Sequence, residues 1–146
     1  MTDDEAPDSL LAAAAEYLAR TMPLQMACVR SMYRLRNLLL EDDSFLGWSE
    51  EQLAALDHLT TDMVRVAQRW GEVRAPGLFR MPHAAFARAC ASYVEVLRLL
   101  HEAVDKQDRV ILREAKDRLN GELLVEFKVA QEEQARTLGR IDEEPE

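Results

Sequence analysis

Ser9–Leu40, SLLAAAAEYLARTMPLQMACVRSMYRLRNLLL, is the stretch whose reading decides the fold class. Wound at about 100° per residue, Leu11, Ala15, Leu18, Met22, Met26, Val29, Tyr33 and Leu40 fall on one narrow line, the seam of a helix packed in a bundle. A second line lies beside it, made of Leu10, Ala14, Tyr17, Cys28, Met32, Leu35 and Leu39. The apolar surface therefore covers about half the cylinder, more than one neighbour can bury. Such a helix is either central in a bundle or gives one stripe to its own chain and the other to a partner. Pro23 removes a backbone hydrogen bond and crowds the preceding turn, so a kink, or a meeting of two helices, is expected near Arg20–Met22.

Working outward, Glu41–Gly47 ends this helix and leads into a strong start signal. Ser49 and Gln52 have capping-box spacing, with Trp48 and Leu53 placed as a hydrophobic staple. The second helix follows, with Leu56, Leu59, Thr60, Met63, Ala67 and Trp70 inward and Asp57, Thr61, Arg65, Gln68 and Glu72 outward. It ends near Arg74. Ala75-Pro76-Gly77 is a turn, and Leu78–Met81 completes the connection. Pro82 suits the first turn of a third helix, whose seam is Phe86, Cys90, Tyr93, Leu97, Leu100 and Val104. Asp105-Lys106-Gln107-Asp108 is a polar corner, with Asp108 as the cap of a fourth helix. There Leu112, Ala115, Leu119 and Leu123 share a line, which past Asn120-Gly121 rotates to Leu124, Phe127, Gln131, Gln134 and Leu138. A kink or break near Gly121 is expected.

Four amphipathic helices with short later links predict an all-α, up-and-down antiparallel four-helix bundle. The domain spans residues 9–139, with acidic disordered tails at 1–8 and 140–146. Its length is that of one ordinary domain, and its Ala-, Leu-, Arg- and Glu-rich composition is helical. The N-terminus has no basic segment ahead of an apolar run, so no secretory signal is expected, and no apolar run is long enough to span a bilayer. Cys28 and Cys90 read as reduced packing residues, which places the protein in the cytoplasm.

The chemistry that the sequence supports is sparse. No Glu-x-x-His pair, phosphate loop or nucleophile elbow is present, so neither a metal nor another cofactor is expected. His83 and His101 share one flank of the third helix, but eighteen residues separate them by about 27 Å, too far to share a metal. His58 falls on the outer face of its helix. Five arginines between Met63 and Val94 (Arg65, Arg69, Arg74, Arg80, Arg88) stand against a single acid, Glu72. Nucleic acid is nevertheless a poor fit, because the whole chain carries −9 and Trp70 and Phe86 belong to seams. No set of nucleophile, base and oxyanion donor can be assembled, which leans against an enzyme.

The expectation is therefore a protein that acts by binding another protein, above all a second copy of itself as a homodimer. Its interface would be Leu10, Tyr17, Cys28, Met32, Leu35 and Leu39, since methionine-bearing helical faces adapt to partner helices. The alternative is a regulatory bundle with a pocket between helices, in which Arg36 and Arg74, both on the seam side, grip a small anionic ligand.

Overall fold

A computed structural model of the protein describes residues 7–41 and 48–143. Helix α1 (Pro7–Glu41) is followed by α2 (Glu50–Glu72), a 3-10 turn (Gly77–Phe79), α3 (Arg80–Lys106), α4 (Arg109–Arg118) and α5 (Leu124–Glu143). A π-helical turn, Leu119–Leu123, joins α4 to α5 end to end. Those two make one rod, so the chain is an all-α four-helix bundle, with no strand among the described residues. Part of the expected tails, and residues 42–47 of the first link, lie outside the described residues. Where the ends are described, α1 begins at Pro7 and α5 runs on to Glu143.

Local chemistry accounts for the start of α2 and for the corner between α3 and α4. The Ser49 hydroxyl accepts from the Gln52 amide at 3.2 Å while the Gln52 side chain accepts from the Ser49 amide at 2.8 Å, a complete capping box. At the far corner Gln107 is left-handed (φ 52°). Asp108 N–H reaches the Ala103 carbonyl at 3.0 Å and Gln107 N–H the Val104 carbonyl at 3.3 Å, the Schellman pattern of helix termination. Asp108 then caps α4 by accepting from the Val110 and Ile111 amides.

Two expected interruptions take a milder form. Helix α1 continues through Pro23 without a break, and Pro23 and Ala19, whose carbonyl loses its partner, are both exposed. Near Gly121 the fourth rod also remains continuous. Its seam residues Ala115, Leu119, Leu123 and Phe127 are four apart, a spacing too long for an α-helical line, and the wide π turn absorbs the excess. Beyond it the buried positions are Phe127, Ala130 and Thr137, whereas the anticipated Leu124 and Gln131 are exposed. The turn makes the rotation smaller than the sequence suggested.

The central helix is α3, packed against α2, α4 and α5. Because neighbours cover it on several sides, its buried surface is wider than one seam. Ala85, Ala89, Val96, Leu99 and Ala103 join Phe86, Cys90, Tyr93, Leu97 and Leu100 in the interior. Burial of each large aliphatic side chain contributes about 1.5–3 kcal/mol, so these seams carry the stability. Two polar contacts fix the register of the layers: Ser31 Oγ with Tyr93 Oη at 2.8 Å, and Thr60 Oγ1 with His101 Nε2 at 2.8 Å.

Candidate interaction surface

The burial of the two stripes of α1 is the reverse of what the sequence suggested. Of the residues assigned to a partner, Tyr17, Cys28, Leu35 and Leu39 are buried inside the chain's own bundle, while Leu10 and Met32 are half-buried. The line taken for the internal seam instead faces outward: Leu11, Met22, Met26, Val29 and Tyr33 are exposed, Tyr33 at 63%. Periodicity finds apolar faces but does not say which one the rest of the chain covers. That choice falls to α2 and α3, which meet α1 along Tyr17–Leu35.

The outward stripe has a regular geometry. Leu11, Ala15, Leu18, Met22, Met26, Val29 and Tyr33 follow one another at steps of 4, 3, 4, 4, 3 and 4 residues, a series that reads the same in either direction about Met22. At 1.5 Å rise per residue it runs about 33 Å along the helix. Within it, Ala15 is exposed like the larger residues, and only Leu18 is partly covered.

Beside this stripe α1 meets α5. Gln25 and Gln134 exchange amide hydrogen bonds across the junction, Gln25 Nε2 donating at 2.8 Å. Further along is a recess of about 210 Å³ lined by Val29, Met32, Tyr33, Arg36, Leu124 and Phe127, with Lys128 and Gln131 at its rim. Leu124, 39% exposed, extends the apolar surface of α1 onto α5.

The pair expected to grip an anion is not brought together. Arg36 is exposed at that recess, whereas Arg74 is exposed just after α2. The end of α2 packs by Tyr17, whose ring centroid is 6.5 Å from that of Trp70. Arg36 is nineteen residues further along α1, hence about 28 Å away, so the two guanidinium groups cannot hold one small ligand.

At the Tyr17 end the aromatic residues form a closed group. Tyr17 stacks on Phe79 at 4.6 Å, Trp70 stacks on the His83 ring at 4.7 Å, and Tyr17 Oη meets His83 Nδ1 at 2.8 Å. Burial lowers the His83 pKa, opposed more weakly by a hydrogen bond of its ring with the Trp70 backbone, and raises that of Tyr17 well above the ordinary phenol range. Phe79 was hidden in the sequence because it lies in the short turn outside any periodic segment.

Cys28 and Cys90 are buried and hydrogen-bonded to each other. That contact, and burial, hold the Cys28 thiol firmly protonated, and both cysteines pack within the core. Among the described residues no three potential ligands cluster to hold a metal ion, and no helix is long and apolar enough to cross a membrane. Comparison with protein-family models, with curated proteins and with solved structures finds no match to this chain.

Proposed function

We propose that the protein works in the cytoplasm as a non-enzymatic association module, and that its first partner is a second copy of itself, bound through the outward stripe of α1. The observation that carries this reading is the symmetric spacing of that stripe about Met22. A two-fold interface must be self-complementary, since each residue meets its counterpart's counterpart. Two antiparallel α1 helices related by a dyad at Met22 pair Leu11 with Tyr33, Ala15 with Val29 and Leu18 with Met26, apolar against apolar at every step. The recess between α1 and α5 lies at the edge of this face, beside Val29 and Tyr33. Large exposed apolar patches on a chain this charged are otherwise a liability.

Cross-linking tests the register. Met22→Cys places two thiols across the dyad, so a short bis-maleimide should give a covalent dimer in high yield. Ala54→Cys, exposed on α2 and outside the stripe, should give little. The native thiols are too buried to react. Equal yields from the two variants would contradict the proposed face.

A further inference from the structure

A groove between α1 and α2, on the side away from the apolar stripe, carries a different chemistry. Its mouth is lined by Arg30 and Arg34 of α1 and by Arg65 and Arg69 of α2, around a space of about 330 Å³. The floor is apolar, formed by Leu24, Ala27, Leu59, Met63 and Val66. A second hollow of about 400 Å³, which shares Arg34, Leu59 and Asp62 with the first, prolongs it toward Ala55. Asp62 is the acid in this lining.

Five bases elsewhere on the surface are neutralised within their own helix. Arg20, Arg98, Lys106, Arg118 and Arg136 each pair with a glutamate three or four residues away on their own helix. Arg30, Arg34, Arg65 and Arg69 form no ion pair among the described residues, although the chain has 27 acidic side chains to 18 basic ones. Each has another arginine four residues away, a like-charge pairing that disfavours its helix, and the two pairs line one groove. Two such pairs on facing helices leave a concentrated positive field over an apolar trough. Planar guanidinium forks are suited to phosphate oxygens, and small-ligand sites commonly combine an apolar wall with a few convergent polar groups.

We infer that this groove binds a phosphorylated small molecule, its phosphates held by Arg30, Arg34, Arg65 and Arg69 and its less polar body laid on Leu59, Met63 and Val66. Asp62, beside the arginines, accepts hydrogen bonds from hydroxyl groups of that body. The site is independent of the α1 stripe and distinct from the Arg36 and Arg74 positions.

Isothermal titration with ATP and with inorganic tripolyphosphate, at matched ionic strength, tests the inference. Both should bind, and ATP more tightly because its nucleoside lies on the apolar floor; equal affinities would overturn the role given to Leu59, Met63 and Val66. Arg30→Gln and Arg65→Gln, at exposed positions where folding is retained, should each weaken binding about ten- to hundredfold, whereas Arg140→Gln should not. Circular dichroism confirms that each variant is folded. Absence of binding by both compounds, or affinities indifferent to Arg30→Gln and Arg65→Gln, overturns the inference. Binding of polyglutamate without binding of either phosphate compound overturns it as well, and would assign the groove to an acidic protein segment.

Discussion

Truncating one residue from each stripe of α1 separates the inner face from the outer one. Leu35 is completely enclosed, whereas Met26 is 53% exposed. Leu35→Ala removes about three carbon groups at roughly 0.8 kcal/mol each, or about 2.4 kcal/mol of lost burial. The residual cavity adds to this, for a total of about 3–4 kcal/mol, within the measured span of about 2–5 kcal/mol for such changes. In a domain of this size that is a fall of roughly 10 °C in melting temperature. Met26→Ala opens no cavity and should stay within about 0.5 kcal/mol of the parent chain. Urea titration followed by far-UV circular dichroism measures both, at the lowest workable protein concentration so that association contributes least. Comparable losses in the two variants, or a negligible loss for Leu35→Ala, would refute the assignment of the faces.

Three further outcomes follow from particular residues. Gln107→Gly should raise stability by about 0.5–1 kcal/mol, because glycine relieves the left-handed backbone at φ 52° but gives back part of the gain through a freer unfolded chain; a destabilised variant would argue against the terminating turn. Ser49→Ala should cost about 1 kcal/mol by removing the acceptor for the Gln52 amide, which the same urea titration reads. His83 has a folded-state pKa lowered from 6.5, so the unfolded chain takes up its proton more readily and stability is lost as the pH falls below that value. The drop in urea midpoint between about pH 7.5 and about pH 5.5 should therefore be smaller in His83→Gln than in the parent chain; identical drops would remove the His83 contribution.

The helices were legible wherever local chemistry and periodicity agreed. Ser49 with Gln52, and Asp108 after the corner, act as their side-chain chemistry requires. The seams of α2 and α3 were visible for the same reason, since a helix with one dominant apolar face leaves little choice of side. Helix α1 was ambiguous because it has two, and nothing local distinguishes Leu35, which is buried, from Tyr33, which is exposed. Only the placement of α2 and α3 resolves that pair. The π turn was foreshadowed by the rotation of the seam past Gly121, yet its extent depends on how α5 settles against α3. The arginine groove had a visible trace in Arg30 with Arg34 and Arg65 with Arg69, one turn apart in each case. Recognising it required knowing that α1 turns that side toward α2.

The central claim is that the outward stripe of α1 joins two copies of the chain. Sedimentation velocity over a concentration series, on the parent protein and on Met26→Glu, tests it most directly. The parent should reach a dimer, and Met26→Glu should stay monomeric with its helical spectrum and melting transition retained, because position 26 lies outside the core. A parent chain that stays monomeric throughout, or a Met26→Glu variant that still dimerises, would contradict the account.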